Sequence, residues 1–247
     1  MENWIETLKK TGTAIKDNAG FVAVSVLIIV VLYVLAALME KVIEKKNGVR
    51  LRQEKLKTNR MTVIAMFSAL AFVLMLFEFP LWFVPSFYEL DLSEIPVMIG
   101  AFAMGPTAGV VIEGVKIVLK VFIKGTSTAF VGDFANFVVG CMLVVPASFI
   151  YHMKKSKKSA LIGMLTGTVF MALAGCLLNA YLLIPTFATL FHMPLDAIVS
   201  AGTAVNKYIK NLTTLIIMGV LPFNLLKGVI VSAVTTVLYK YVRKIIK

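Results

Sequence analysis

Long apolar runs constrain this chain more than any other feature of its sequence. Hydrophobic residues make up 59% of its 247 residues and charged residues only 15%, whereas soluble domains carry about 25% charged residues. An apolar helix of about 20 residues spans the hydrocarbon of a membrane and satisfies its own backbone hydrogen bonds there. We therefore predict an all-α, polytopic membrane protein whose spans are joined by short loops.

Seven apolar segments are candidates for these spans. Residues 95–105 are too few to cross alone at about 1.5 Å per residue, so we expect this segment to tilt. The dipeptide Gly105-Pro106 is expected to turn the chain into the next helix. The candidate spans are residues 21–39, 61–79, 95–105, 107–123, 130–151, 160–184 and 212–239.

The first apolar run needs its own interpretation, because a signal peptide also begins with an apolar run. Residues 21–39 are too many for the apolar region of a signal peptide, and basic residues follow the run rather than precede it. We interpret it as a true span with the N-terminus outside. The chain then divides into residues 1–59, an extra helix with a basic cytoplasmic linker, and residues 60–247, a six-helix membrane domain.

Basic residues predict how the spans are oriented. The formal net charge is +12, and lysine and arginine concentrate in residues 40–60, 154–158 and 240–247. Such clusters mark cytoplasmic loops, whereas nucleic-acid binding would explain them only if the apolar spans were ignored. We therefore predict a cytoplasmic C-terminus. The loops predicted to lie outside are residues 80–94, 124–129 and 185–210.

Several functional classes receive no support from the sequence. It contains no Gly-rich phosphate loop, so we do not expect this chain to hydrolyse ATP. His152 and His192 belong to no metal-binding or hydrolytic motif. Cys141 and Cys176 lie in apolar segments without the spacing of metal ligands. We expect no catalysis, no metal and no resident cofactor.

Asn224 and Lys227 are the strongest candidates for a binding site. They lie three residues apart in an apolar stretch, so they share one face of a helix, and Pro222 is placed to kink that helix. Counted from Lys240, they rise about 24 and 20 Å through a core about 30 Å thick. An ionisable side chain at that depth faces protein, a cavity or a partner. A lysine that only tethers a neighbouring helix is the alternative.

Asn179 lies in a second apolar segment at a matching depth. It rises about 31 Å when counted from Lys158, so Asn179, Asn224 and Lys227 converge on the outer half of the membrane. A buried amide is costly unless it is paired, and an amide that only joins two helices is the alternative here. The shared depth favours a pocket that opens to the exterior.

Asn136, Phe134 and Phe137 are candidates for the wall of the same pocket. An amide between two aromatic rings suits a planar heterocycle, through hydrogen bonding and stacking. The alternative is a purely structural helix start, in which Asp133 caps the backbone. Both interpretations stay open.

Charged residues also recur within the fourth apolar segment. Glu113, Lys116 and Lys120 fall on one face of its predicted helix. We favour structural ion pairing for this group over contact with a ligand.

Ala65 and Ala69 form a small-xxx-small step in the second apolar segment. Small residues at this spacing let another helix approach closely. The step is common by chance, and it becomes informative only where a partner protein is expected.

The segments described above resemble the riboflavin-specific substrate-binding (S) components of energy-coupling factor (ECF) transporters, the RibU type. The likeness covers nearly all of residues 60–247, and the ordered set of motifs is more specific than any one of them. The motifs are ELDLSEIPVMIGAFAMGPTAG at 89–109, EGVK at 113–116, GDFAN at 132–136, NAYLLIP at 179–185 and PFNLLKG at 222–228.

The resemblance implies a six-helix core in the bacterial cell membrane that binds riboflavin near its outer side. Asn179, Asn224 and Lys227 match the family residues that hydrogen-bond the flavin, and the first outer loop covers that site. Ala65 and Ala69 match small residues that meet a transmembrane coupling protein of the EcfT type. Two cytoplasmic ABC-type ATPases would then drive uptake, while the S component topples in the membrane to release its ligand.

The chain also departs from the pattern of that family. Residues 1–59 add to the six-helix core, and residues 186–210 are long for a loop and are expected to hold a short helix. S components for thiamine, folate or biotin share the fold, so another vitamin is the first alternative to riboflavin. A membrane-embedded enzyme is the second alternative, and a facilitator that works without ATPases is the third.

Overall fold

Helices account for most of the described structure, and they follow the apolar segments of the sequence. The computed structural model describes residues 19–48, 57–126, 130–190 and 192–246. Residues 1–18 of the predicted polar N-terminal segment and residues 49–56 of the predicted basic linker lie outside these residues. In chain order the helices and strands are α1 (Ala19–Asn47), α2 (Lys57–Met75), β1 (Phe79–Pro80), β2 (Glu89–Leu90), α3 (Glu94–Met104), α4 (Pro106–Lys124), α5 (Val131–Lys154), α6 (Lys157–Leu178), α7 (Ile184–Leu190), α8 (Leu195–Val205), α9 (Leu212–Leu215) and α10 (Leu221–Ile246).

Four helical segments within the described residues are long and apolar enough to span a membrane. They are Gly20–Asn47, Val131–Lys154, Lys157–Thr189 and Leu212–Tyr239. Shorter apolar helices, among them Glu94–Met104, accompany them. The prediction of an all-α, polytopic membrane protein is confirmed.

A short hairpin separates α2 from α3. Phe79 and Pro80 pair antiparallel with Leu90 and Glu89. The residue before a proline disfavours the helical conformation, and Phe79 is accordingly extended in β1. Helix α2 has already ended at Met75, earlier than the apolar pattern predicts, and residues 76–78 lead from it into the hairpin.

The turn between α3 and α4 is the one that the sequence predicts. Gly105 has φ 104°, and its N–H donates to the Ala101 carbonyl oxygen. This backbone conformation is easily reached only by glycine. Pro106 begins α4, at the position where a missing N–H costs least. The predicted turn at Gly105-Pro106 is confirmed.

Helices α5 and α6 cross closely because α6 carries glycine at the crossing. A Cβ on Gly163 would lie 2.5 Å from the Ala147 carbonyl oxygen, and one on Gly167 would overlap the carbonyl oxygen of Leu143. Small residues let helix backbones approach in this way within membranes. Because the two helices are consecutive and antiparallel, the end of α6, next to Asn179, lies beside the start of α5.

Two π-helical turns interrupt the helices near the predicted polar residues. Asn179–Leu183 joins α6 to α7, and Ile216–Val220 joins α9 to α10. Each turn ends two residues before a proline, Pro185 or Pro222. A proline cannot donate to the carbonyl four residues earlier and its ring clashes there, so a wider turn at that point relieves the clash. The helix disturbance predicted at Pro222 thus takes the form of a π turn.

Helix α1 packs along α4 and α5. Leu32 and Ala36 of α1 share a buried apolar cluster with Val110 of α4 and Cys141 of α5. The first apolar run is therefore a long helix in contact with the rest of the bundle, as its interpretation as a span requires.

Polar contacts hold the C-terminal part of α1. The buried Glu40 carboxylate lies 3.4 Å from the Arg60 guanidinium, which also donates to the Met104 carbonyl oxygen (3.2 Å). Asn47 Nδ2 donates to the His152 carbonyl oxygen (2.9 Å). These contacts join α1 to the start of α2, the end of α3 and the end of α5.

The long segment after the first π turn contains the short helix that the sequence predicts within residues 186–210. Ile198 and Val199 of α8 are buried against Ile184 and Leu215. Helix α8 is thereby packed across the ends of α7 and α9, on the same side of the bundle as the hairpin.

Candidate functional site

A cavity of about 420 Å³ lies between the hairpin, the start of α5, the first π turn, α8 and α10. Pockets for small molecules typically measure about 300–1,000 Å³. Its polar lining residues are Tyr88, Glu89, Asn136, Asn179 and Asn224. The remaining lining residues are aromatic, aliphatic or small: Phe87, Gly132, Ala135, Val139, Leu183, Ile184, Phe187, Met193, Ala197, Ile198 and Ala201.

Asn179 stands at the first residue of the first π turn and is buried. Its Oδ1 accepts a hydrogen bond from Tyr88 Oη (2.6 Å), and its Nδ2 donates to the Gly175 carbonyl oxygen (2.8 Å). A side-chain amide has two donor hydrogens and two acceptor lone pairs. These two bonds leave hydrogen-bonding capacity for a ligand in the cavity.

Asn224 lies beside Asn179 because α6 carries glycine where it meets α10. Asn224 Nδ2 donates to the Val220 carbonyl oxygen (2.9 Å). A Cβ on Gly175 would lie only 2.6 Å from that Nδ2. Gly175 also accepts the hydrogen bond from Asn179, so one position of α6 contacts both amides.

Lys227 lies one helical turn beyond Asn224, and it does not line the cavity formed by the described residues. Its ammonium group lies 2.8 Å from Asp91 Oδ2 and 3.7 Å from Glu94 Oε1. Burial by itself would raise the pKa of the Asp91 carboxyl, but the ammonium groups of Lys227 and Lys116 outweigh burial and hold this pKa below its usual range. Asp91 is therefore ionised, and it ties Lys227 to the loop that precedes α3.

A second buried lysine stands behind this pair. Lys116 Nζ lies 2.6 Å from Glu113 Oε2 and 3.1 Å from Glu94 Oε1, and it donates to Ser93 Oγ (3.0 Å). The structural ion pairing predicted for Glu113 and Lys116 is confirmed. Glu94 faces both lysines, so the two ion pairs form one buried cluster.

Asp133 forms an ion pair with Lys120 at the start of α5. The N–H of Phe130, where α5 begins, donates instead to Thr126 Oγ1 (3.0 Å). Asp133 therefore joins α5 to α4, which differs from the capping role considered for it.

Comparison with known proteins decides the family. The family described as "ECF transporter, substrate-specific component" matches residues 59–239, which is most of the chain. This chain belongs to that family. It is therefore the S component of a transporter, which agrees with the expectation that it is not an enzyme.

Named relatives of this S component match about three quarters of the chain. "Riboflavin transporter FmnP" of Bacillus subtilis (strain 168) is 31% identical over 185 residues, 74% of this chain and 92% of the relative. "Riboflavin transporter RibU" of Staphylococcus aureus (strain TCH60) is 33% identical over 192 residues, 77% of this chain and 94% of the relative.

A solved structure agrees with this assignment. It is described as "Structure and mechanism of the S component of a bacterial ECF transporter" and is 32% identical to this chain. The TM-score is 0.61, and the match covers 78% of this chain and 99% of that one. The helical fold of the S component is thus shared, whereas α1 lies before the residues that match the family.

Phe134 and Phe137 of this S component lie away from the cavity wall formed by the described residues. Both are buried in the cluster between α1 and α5, where Phe134 meets Phe21 edge to face at 5.7 Å. Asn136 and Val139 line the cavity instead. Neighbours on a helix diverge by about 100°, so Asn136 faces the cavity while the two phenylalanines face α1.

Ala65 and Ala69 lie exposed on α2 of the S component. A helix of a partner protein can therefore reach them. Their contact with a coupling protein stays a prediction.

Tyr88, Glu89 and Asp91 are site residues that the sequence prediction misses. All three belong to the acidic, aromatic loop before α3, which the resemblance identifies only as a cover for the site. A buried lysine without a counter-charge in its own helix is the signal that points toward Asp91, because a buried charge requires a partner.

Proposed function

We propose that this S component binds riboflavin and delivers it into the cell with an EcfT-type coupling protein and two ABC-type ATPases. The observation that carries the proposal is the convergence of three amides, Asn136, Asn179 and Asn224, on one cavity. Two relatives that this chain matches over more than nine-tenths of their length are named riboflavin transporters. Energy would come from the partners, because the sequence contains no ATP-binding motif.

The chemistry of the cavity suits a flavin ring. The isoalloxazine has flat apolar faces and an edge that carries both hydrogen-bond donors and acceptors. Amide side chains offer both kinds of group, while Phe87, Tyr88 and Phe187 supply aromatic surface for the ring faces. A ligand without such a polar edge would leave buried amides unpaired, which is costly.

Lys227 is also proposed as a ligand residue, as the family resemblance implies. An ammonium group has three N–H donors, and the short contact with Asp91 uses one of them. The others remain for Glu94 and for a polar edge of the ligand.

We further propose that the cavity faces the outside of the bacterial cell membrane, with the N-terminus outside and the C-terminus in the cytoplasm. The basic clusters of the sequence support this orientation. The loop beside the cavity exposes Trp82 and Phe87, and aromatic side chains suit the interface between membrane and water. In this orientation Ala65 and Ala69 would meet the coupling protein within the membrane.

Titration of the purified protein with riboflavin, thiamine, folate and biotin tests the ligand. We expect saturable binding of riboflavin alone, and a yellow preparation with flavin absorbance where ligand copurifies. A preparation that binds another vitamin and no riboflavin would contradict the proposal. Uptake of riboflavin by cells that lack every coupling ATPase would contradict the proposal that ATPases drive the uptake.

Truncation of one amide tests the site. Asn224→Ala removes a buried partner, at a cost of about 1–3 kcal/mol, so we expect riboflavin binding to weaken by roughly 5- to 150-fold. Asn47→Ala is the matched control, because Asn47 bonds to the His152 carbonyl oxygen away from the cavity. Equal riboflavin affinities for the two variants would argue against a role for Asn224.

A further inference from the structure

Asp91 uses both of its carboxylate oxygens at the end of the loop that precedes α3. Oδ2 accepts a hydrogen bond from Lys227 Nζ (2.8 Å), and Oδ1 accepts one from the backbone N–H of Ser93 (2.8 Å). The Asp91 side chain is 1% exposed and that of Lys227 is 5% exposed. One carboxylate thus shapes the end of the loop and holds it to α10.

The loop that Asp91 holds forms part of the cavity wall. Phe87, Tyr88 and Glu89, a few residues earlier in the chain, line the cavity. Leu90, between them and Asp91, is buried in one cluster with Phe223, the neighbour of Asn224. The ion pair and this apolar contact therefore join the loop to α10 on either side of Asn224.

No other carboxylate among the described residues replaces Asp91 as a close partner of Lys227. Glu94 is 3.7 Å from Lys227, whereas it lies closer, 3.1 Å, to Lys116. Glu113 also pairs with Lys116. Loss of the Asp91 charge would leave Lys227 with one distant and shared counter-charge in a buried site, where an unpaired charge is strongly disfavoured.

We propose that Asp91 is a positioning residue for ligand binding, which orients the Lys227 ammonium and holds the loop over the cavity so that the ligand leaves slowly. The inference rests on the proposed function for its ligand. It assigns to Asp91 no contact with the ligand, since Asp91 acts through Lys227 and through the loop.

The test compares Asp91→Asn with Glu40→Gln. Asp91→Asn keeps the shape of the side chain and removes its charge. Glu40→Gln removes a buried carboxylate charge from another ion pair, in which Glu40 of α1 faces Arg60 at the start of α2. We expect Asp91→Asn to speed dissociation of riboflavin about tenfold or more and to change association less than about threefold, because affinity changes within one site appear mainly in dissociation. Glu40→Gln is expected to leave both rates unchanged.

A double-mutant cycle tests whether Asp91 acts through Lys227. If it does, Asp91→Asn combined with Lys227→Met should lose little more affinity than the worse single variant. Asp91→Glu, which keeps the charge, should restore most of the slow dissociation. Wild-type dissociation in Asp91→Asn, or fully additive losses in the double variant, would overturn the proposal.

Hydrogen exchange without ligand separates this inference from the proposed function. We expect the amides of residues 86–93 to exchange faster in Asp91→Asn than in wild type, and at the wild-type rate in Glu40→Gln. If wild type bound no riboflavin, the proposed function would fail while this measurement still tested the hold of Asp91 on the loop. An unchanged exchange rate in Asp91→Asn would show that Asp91 does not hold the loop.

Discussion

Gly175 lies between the two amides on which the proposed site depends. Its carbonyl oxygen accepts the hydrogen bond from Asn179, and its missing Cβ leaves room for the amide of Asn224. At the scale of single residues, the spacing of the polar groups in the cavity is thus determined by a residue with no side chain. A glycine in a helix is destabilising on its own, so the close approach is what accounts for it here.

Gly175→Ala is predicted to weaken riboflavin binding while the protein stays folded. The new Cβ would lie 2.6 Å from Asn224 Nδ2, and the amide must move away from the ligand to make room. A displaced hydrogen bond of this kind is worth about 1 kcal/mol or more, and we expect a Kd roughly tenfold higher by titration. Gly114→Ala is the matched control, because its Cβ would meet only Phe137 at 3.8 Å. Equal Kd values for the two variants would contradict the prediction.

Single residues also show which parts of the site can be predicted from the sequence. Asn179 and Asn224 can be chosen because amides stand out in apolar helices, and the structure brings both to the cavity. The partner of Lys227 cannot be chosen in this way, because Asp91 lies 136 positions away in a loop with no periodic pattern. Tyr88 escapes prediction for the same reason.

At the scale of helices, α1 is the element whose place the sequence does not predict. Its apolar run identifies it as a span, but a run that is apolar on all sides does not tell which neighbour it meets. The sequence makes Phe134 and Phe137 candidates for the pocket wall because two aromatic rings flank the amide of Asn136, with a structural role left open. They instead form part of the surface of α5 that receives α1.

Cross-linking is predicted to succeed between α1 and α5. Ala36 and the native Cys141 are fully buried in one cluster, so Ala36→Cys should form a disulfide with Cys141 under a membrane-permeable oxidant, detectable by mass spectrometry. Val34→Cys is the control, since Val34 is 47% exposed on the same helix. We expect the cross-linked protein to bind riboflavin with unchanged affinity. A disulfide in the control alone would contradict this packing of α1.

At the scale of the whole molecule, the chain combines a family core with one added helix. The family match begins at residue 59, and α1 lies before it, packed on α4 and α5. Ala65 and Ala69 on α2 are nevertheless exposed. The added helix therefore leaves the proposed surface for the coupling protein accessible.

Ala69→Trp is predicted to reduce uptake without reducing binding. A bulky ring at a small-xxx-small step keeps a partner helix from close approach, while the cavity lies elsewhere in the bundle. We expect riboflavin affinity in detergent within about twofold of wild type, a change under about 0.5 kcal/mol, and clearly slower uptake in cells. Ala23→Trp makes the same change at an exposed position of α1 and should preserve uptake. Normal uptake by Ala69→Trp would argue that the coupling protein binds another surface.

The π turn before Pro222 has a consequence for how the gene tolerates short deletions. A π turn holds one residue more than an α-turn, so loss of a single codon within Ile216–Val220 would restore a regular helix. Because the wide turn absorbs its extra residue, the later side chains of α10 would keep about their present face after such a loss. Loss of one residue from a regular α-turn of the same span would instead rotate them by about 100° and carry Asn224 and Lys227 off that face. The apolar character of the span would survive such a deletion. The π turn is therefore the place where this span can lose three nucleotides of its gene and keep the binding face, whereas the same loss in a neighbouring regular turn would keep the membrane helix and misplace the site.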